Sequence, residues 1–571
     1  MQWTYFGLTL RSWIILIFLT VVLGLNSIYS ALLTGWADGG AIISVILCLV
    51  FFSRENGNLM TYNLGQTMAS AGGSVGFTVS VIASIYVADP GWRPNLVELS
   101  LLVLAMSLLG VTLAVPLRKY TVKWFFPSAV ACATILRAVT STDVAQGIRA
   151  RTIMTASGIA SAILTFPTKV AFTKGGEAFW TKIKFGDTVA LSLDPLMYGI
   201  GMVVGVRIGF SMLVGAVLLN FWFIPMLVSD GQQKEIGNYI KWTAVGLMSL
   251  PALTAMLFQK WYTPPQQLPT TLANTPETSV TWTSTEKLII VLIGTGSFVL
   301  TVVMMDRLFG LSWMLVALSV AIGAPLCLML GKVAGTTDIN PVRLLAIVLL
   351  FIFSLFGSQS PVSLLAIGIG GAALASVAVD LFYDLRTGYL IGANHKHQVA
   401  VQYFGVFVVA FAAVYFLDML ATSFGFGEGK FFPAPSAVVW SAMAVGFSKG
   451  AASLSSGVWQ AFAIASVVGV VLSFLESYPK TRAFALSPFA IGIALLLSFD
   501  TALAIFVGGL IQAIFVWLGR QWDINGLAGR EEQTKSDVFQ AGSAIFAAAA
   551  LAGIVAVVLI SLGIVHVPVD H

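Results

Sequence analysis

The stretch Phe125-Phe126-Pro127-Ser128-Ala129-Val130-Ala131-Cys132-Ala133-Thr134-Ile135-Leu136-Arg137-Ala138 returns later in the chain as Phe431-Phe432-Pro433-Ala434-Pro435-Ser436-Ala437-Val438. Each copy is apolar and is interrupted by proline near its start. From Pro127 to Val139 the run is too short to cross a hydrocarbon core, which takes about 20 helical residues. A short, proline-broken membrane segment that occurs twice points to a binding site of the kind that repeated transport folds build.

The residues around these two stretches set the class. The chain is 58% hydrophobic and only 10% charged, with a mean hydropathy of +0.91. Soluble domains carry about 25% charged residues, so an all-α polytopic membrane protein embedded in a lipid bilayer is expected. The net charge of +5 does not imply nucleic acid as a partner, because Lys and Arg are scattered through short loops beside apolar spans. That is the pattern of charged cytoplasmic loops. Cys48, Cys132 and Cys327 all sit in apolar stretches and read as small buried hydrophobes, so no metal site or other cofactor is indicated.

Apolar segments start with Ser12 to Thr34, read as a retained signal anchor, and continue through Gly40–Phe52, Leu64–Val87 and Val97–Leu117. The quoted stretch lies between two basic loops, Arg118–Lys123 and Lys169–Lys184. A crossing by Pro127–Val139 puts both loops on one side, as the positive-inside tendency prefers, and is the expected arrangement. From Gln259 to Lys287 the chain turns polar, with four prolines among Thr and Gln. This linker, 259–287, separates a first membrane repeat, 1–258, from a second, 288–571. The second half has its own apolar segments, a loop from Asp384 to His397, and a solvated loop holding Arg530, Glu531, Glu532 and Lys535. About 16 to 18 membrane elements result, at roughly 20 residues for each full span.

Similar residues recur in the same order in the two halves. Trp36 and Asn63 match Trp313 and Asn340, Ser128 and Phe166 match Ser436 and Phe474, and Pro195, Gly199 and Gly215 match Pro488, Gly492 and Gly508. The residues leave open whether the copies are parallel or inverted. Such bundles place broken-helix ends at the membrane midplane, where they can replace a solute's hydration shell. A channel is a rival, but no ring-forming filter sequence is present. An enzyme is another, but His395, His397, His566 and His571 lie near loops or the C-terminus and form no catalytic motif.

Several stretches resemble the oligopeptide transporter (OPT) family, which includes the yellow-stripe-like metal-chelate carriers. Asn63-Leu64-Gly65-Gln66-Thr67-Met68-Ala69-Ser70-Ala71-Gly72-Gly73 is similar to its Asn-x-x-Gln-Thr-x-Ala-Ser-Ala-Gly-Gly segment. Asn340-Pro341-Val342 resembles its Asn-Pro-Val element, and Phe432-Pro433-Ala434-Pro435-Ser436-Ala437 its Pro-Ala-Pro-Gln-Ala segment. The most specific likeness is Asp384-Leu385-Arg386-Thr387-Gly388-Tyr389-Leu390-Ile391-Gly392-Ala393, beside the family's Asp-Leu-Lys-Thr-Gly-Tyr-Leu-Val-Gly-Ala. The resemblance implies about 16 spans and a secondary transporter, usually driven by protons. Its cargo would be small peptides, peptide-like compounds or metal chelates. A bacterial-type member in the inner (plasma) membrane is expected. Where the family often has Pro-Glu-Gly-Thr-Ala-Cys-Ala-Glu, this chain has Pro127-Ser128-Ala129-Val130-Ala131-Cys132-Ala133-Thr134, with hydroxyls in place of both glutamates.

Candidate residues follow. Asn63, Gln66, Thr67, Ser70, Ser128, Thr134, Tyr198, Asn340 and Ser436 are expected along a substrate path, although polar side chains in a bundle also simply tie helices together. Asp194, Arg207, Asp384, Arg386, Thr387, Tyr389 and Asp500 are candidates for gating or coupling. Asp194 before Pro195 could equally cap a helix, and Arg207 and Asp500 fall at equivalent positions of the two halves and could pair.

Overall fold

The computed structural model describes residues 8–35, 41–52, 58–140, 144–174, 181–186, 189–258, 280–337, 342–356, 360–449, 454–478, 480–524 and 530–568. The first half holds α1 (Leu10–Thr34), α2 (Ala41–Phe51), α3 (Leu59–Ala88), α4 (Leu96–Thr121), α5 (Pro127–Thr140) and α6 (Val144–Lys169). A small hairpin of β1 (Lys182–Lys184) and β2 (Ala190–Ser192) follows, then α7 (Pro195–Val204), α8 (Val206–Leu218), a π-helical turn at Leu219–Phe223, α9 (Ile224–Ser229) and α10 (Ile236–Phe258). After α11 (Ser284–Phe309) come α12 (Trp313–Thr337), α13 (Val342–Ser354), α14 (Pro361–Ile391), α15 (His395–Ser423) and α16 (Pro435–Lys449). The chain closes with α17 (Ser456–Ser477), α18 (Pro488–Ala494), α19 (Phe499–Ile524) and α20 (Arg530–Ser561). Among the described residues, 11 helices are long and apolar enough to cross a membrane, so the chain is an all-α, multi-pass integral membrane protein.

Contacts between helices fix their directions. Thr20 Oγ1 of α1 donates to Met68 O of α3 at 3.2 Å, and the backbones at Thr20 and Gly24 press on Gly72 and Gly76. A side chain on either α3 glycine would collide with a main-chain carbonyl, so only glycine permits this approach. The two helices therefore run in parallel, from what we call the near face, where α1 starts, to the far face. α14 runs the other way, because Asp384 near its end meets Gln66 and Ser70 near the start of α3. α15 again runs towards the far face, with Gln398 beside Thr67 and Asp418 beside Tyr86.

These directions overturn the expected crossing of Pro127–Val139. α4 ends at the near face, where Arg386 donates to Val122 O at 2.7 Å. α6 also begins there: its Arg149 pairs with Asp537 near the start of α20 at 2.7 Å, and α20 reaches the far face at Ser561, against Ser423 at the end of α15. The segment between α4 and α6 thus enters and returns. α5 has 14 residues, roughly 21 Å at 1.5 Å per residue against about 30 Å of hydrocarbon, which suits a re-entrant element. The two basic loops lie on opposite faces, but Lys169 in the second is ion-paired to Asp194. By the same reasoning α16 returns to the far face. α15 ends there, and Ser455 before α17 bonds to Glu235 before α10, a helix start that also faces Glu428 in the loop after α15.

Helix lengths and packing recur between the two halves with opposite direction, the pattern that inverted copies would give. α1 and α12 each have 25 residues and start 303 apart (313−10), yet α12 ends at the near face, with Gly335 against Trp124 and Phe126. α7 and α18 both start on proline, 293 apart (488−195). Packing repeats across the copies: α6 lies on α20 as α17 lies on α10, α7 on α19 as α18 on α8, and α3 on α16 as α14 on α5. A side chain at Gly215 would strike Ile491 O and one at Gly508 would strike Tyr198 O, and both pairs are 293 apart (508−215, 491−198). The register read from Trp36 and Asn63 is not the one the helices follow. Trp36 and Asn340 lie outside the described residues, and α3, which holds Asn63, has α14 as its counterpart.

Among the described residues, only Phe126 and Ala434 combine a side chain with positive φ, 49° and 44°. They are 308 apart (434−126), immediately before the residues that lead α5 and α16. Each donates its N–H across the halves, Phe126 to Gly335 O at 2.9 Å and Ala434 to Leu32 O at 2.8 Å. The left-handed turn costs about 1–2 kcal/mol and lets the buried amide reach the open carbonyl at the end of a neighbouring helix.

Three further sequence expectations change. Asp384 to Ile391 is the buried end of α14 rather than a loop. Charges and a glycine suggest solvent there, but Asp384, Arg386 and Thr387 find partners inside the bundle. Arg530 to Lys535 opens α20, with Lys535 paired to Glu531 one turn away. α11 starts at Ser284, inside the stretch read as linker, because Thr283 and Glu286 form a capping box.

Candidate functional site

α3 is buried along almost its whole length and meets α14, α15 and α16. Small residues allow this, and they leave its polar side chains facing the interior. Near the near-face end, Ser70 Oγ donates to Asp384 Oδ2 at 2.6 Å, and the Gln66 amide donates to Asp384 Oδ1. Asn63 Nδ2 donates to Gln66 Oε1 at 3.4 Å. From α15, Gln398 Nε2 reaches Thr67 Oγ1 at 3.2 Å and Asp384 O at 2.7 Å. Asn63, Gln66, Thr67, Ser70, Asp384, Gln398 and Gln402 are all fully or almost fully shielded from solvent. Asn63 Oδ1, Gln398 Oε1 and both amide atoms of Gln402 have no hydrogen-bond partner among the described residues.

Thr387 and Arg386 extend this cluster towards the near face. Thr387 Oγ1 lies 3.4 Å from Ala129 O of the re-entrant α5. The Arg386 guanidinium donates to Val122 O and stands 5.5 Å from the Tyr389 ring centre. Arg137 of α5 donates to Leu390 O at 3.1 Å. The end of α14 is thus fastened to α4 and α5.

The other candidates are elsewhere. Ser436 Oγ donates to Gly35 O at 3.3 Å, holding the start of α16 to the end of α1. Ser128 is half-buried, while Thr134 is exposed and bonds back to Val130 O at 2.8 Å. Tyr198 donates to Ser192 O at 2.8 Å and so secures β2 to α7. Asp194 caps α7, accepting from Leu196 N–H at 3.0 Å, and its other oxygen is 2.7 Å from Lys169 Nζ, with both side chains 5–6% exposed.

Arg207 and Asp500 do not pair. Arg207 binds Glu476 at 2.8 Å and Ala485 O at 3.1 Å, whereas Asp500 lies within electrostatic reach of Lys169. Inverted symmetry explains this: equivalent residues of inverted copies sit towards opposite faces. The result is one pattern with its charges exchanged. A basic residue ending α6 faces an acid in the first turn of α19, and an acid near the end of α17 faces a base in the first turn of α8.

At the far face a cavity of about 310 Å³ runs beside α16, lined by Val438, Ser441, Val445 and Lys449 of that helix, Lys241 and Trp242 of α10, and Val87 of α3, among others. Sequence reading missed Gln398, Gln402, Lys169, Glu476 and the two cavity lysines. Gln398 and Gln402 did leave a signal, as amides four apart on one face of an apolar helix. Lys169 read as an ordinary loop charge and Glu476 was not singled out, since their partners are distant in sequence.

Inverted helical repeats, paired re-entrant segments and a shielded polar core on a central helix define a multi-pass membrane transport protein. The chain belongs to the OPT family: the model of the OPT oligopeptide transporter protein matches residues 7–565. Its members are membrane transporters of oligopeptides or related compounds. The chain matches no individual curated protein.

Proposed function

We propose that the protein is a proton-coupled secondary carrier of small peptides, peptide-like compounds or metal chelates, working by alternating access in a bacterial inner membrane. The observation that carries this reading is the setting of Asp384. Its oxygens are held by a serine hydroxyl and a glutamine amide, deep in the bundle. The Ser70 hydroxyl donates to a carboxylate but accepts from a carboxylic acid, so one geometry serves both protonation states. Asn63, Gln398 and Gln402 offer unmatched amide atoms on the adjoining helices, suited to a polar solute. The far face has a ligand-sized cavity while the near face is fastened by Arg386 and Arg137, as expected for one end state of a two-state carrier.

The test is uptake of a labelled peptide panel into liposomes, with and without an imposed pH gradient. Saturable uptake that falls when the gradient is collapsed supports the reading. Uptake indifferent to the gradient removes proton coupling, and flux without saturation makes the protein a channel.

A further inference from the structure

We infer that the far-face cavity is a subsite for the carboxylate end of the solute, formed by Lys241 and Lys449. This rests on the carrier reading above and deepens it. The cavity, about 310 Å³, follows the re-entrant α16 from Val438 to Lys449, and Lys241, Asn238 and Ser441 join its lining. Two lysines and two neutral hydrogen-bonding residues therefore line one space of a size suited to a small ligand. Neither lysine is ion-paired among the described residues. Glu428 borders Lys241: its Oε2 and Lys241 Nζ lie 3.6 and 3.9 Å from the one position a side chain at Gly237 would take, without forming an ion pair.

One wall is rigid. The Trp242 ring lies on the backbone of Gly446, where any side chain would displace it, and it packs tilted against Trp459 and edge-to-face against Phe462 at 5.4 and 5.6 Å between ring centres. An apolar wall beside two cations suits an anion with an apolar body, such as the C-terminal residue of a peptide. Beyond the cavity, Ser436, Trp440, Phe77 and Ser80 line a narrower crevice between α16 and α3. That crevice has room for about one water, about 10 Å³, so the subsite holds the carboxylate end of a solute and leaves its remaining length on the far-face side.

The experiment is calorimetric titration of the purified full-length protein with trialanine and trialanine amide, alongside uptake of both into liposomes. Wild type should bind the acid at least tenfold more tightly than the amide. That preference should vanish in the Lys241→Gln/Lys449→Gln protein and survive in Lys241→Arg/Lys449→Arg, which keeps the charges. Equal affinity for acid and amide in wild type, or a preference that survives the glutamine changes, overturns the subsite. Uptake without the preference sinks the subsite and leaves the carrier. Binding with the preference but no uptake upholds the subsite and sinks peptide transport, and absence of both binding and uptake overturns both.

Discussion

Arg207 and Glu476 meet at 2.8 Å with side chains 31% and 26% exposed, on the opposite side of the bundle from Lys169 and Asp500. A half-exposed pair of this kind contributes about 0.5–1 kcal/mol. A double-mutant cycle on Arg207→Ala and Glu476→Ala should return a coupling of that size in thermal unfolding. Arg207→Ala and Asp500→Ala should simply add. A charge swap between 207 and 500 that rescues either single change would contradict this placement.

Lys169 and Asp194 behave differently because they are shielded. Lys169→Met leaves Asp194 charged and unpaired, and should cost about 3–5 kcal/mol, seen as a large fall in melting temperature. Adding Asp194→Asn, which keeps the cap on α7, should recover most of the loss. A single change as mild as that of Arg207→Ala would show that water reaches the pair.

Asp384→Asn preserves acceptor and donor positions towards Gln66 and Ser70, so the protein should fold with a stability change under about 1.5 kcal/mol. It cannot exchange a proton. Stimulation of uptake by a pH gradient should disappear while exchange of solute across the membrane continues. Persistence of full gradient stimulation would move the coupling proton elsewhere.

A side chain at Gly388 would meet the end of Gln398, a flexible group that can swing away. Gly388→Ala should therefore pull Gln398 off Thr67 and the Asp384 carbonyl, at about 1–3 kcal/mol for the buried donor left unpaired. We expect a several-fold rise in KM, with no further loss when Gln398→Ala is added. Independent defects in the two variants would sink this link.

Gly215→Ala and Gly508→Ala press a methyl group onto equivalent main-chain carbonyls, Ile491 O and Tyr198 O. Backbone cannot move aside as a side chain can, so each should lose about 1–3 kcal/mol. Inverted symmetry predicts similar losses, and a protein damaged by only one of them would show the symmetry to be loose there.

Much of the architecture was legible before any coordinates, because hydropathy and the doubled proline segment report directly on membrane helices and duplication. Pro195 and Pro488, and Gly215 and Gly508, carried the true register, since backbone geometry demands those residue types. Asn63 and Asn340 misled, because an amide occurs for many reasons. Gln66, Thr67, Ser70 and Asp384 were found as individuals, but their convergence depends on α14 running against α3, which no local pattern encodes. Asp384 to Ile391 resembled a loop because charge is normally a sign of water, and here Gln66, Ser70 and Val122 take water's place. Whether Pro127–Val139 crosses or returns depended on where α4 ends and α6 begins, information held by Arg386, Arg149 and Ser561 far along the chain.

The backbone N–H hydrogen bonds of Phe126 and Ala434 also set a schedule for biosynthesis. Leu32 O receives its partner only when Ala434 is made, 402 residues later (434−32). At bacterial and eukaryotic translation rates of about 5–20 residues per second, that wait is roughly 20–80 s. The first-made helices must therefore wait in the bilayer with a seat left open for the second half. A nascent chain stalled short of Ala434 is thus a natural substrate for membrane proteases, and the time from insertion to completion becomes a vulnerable interval in the life of each molecule.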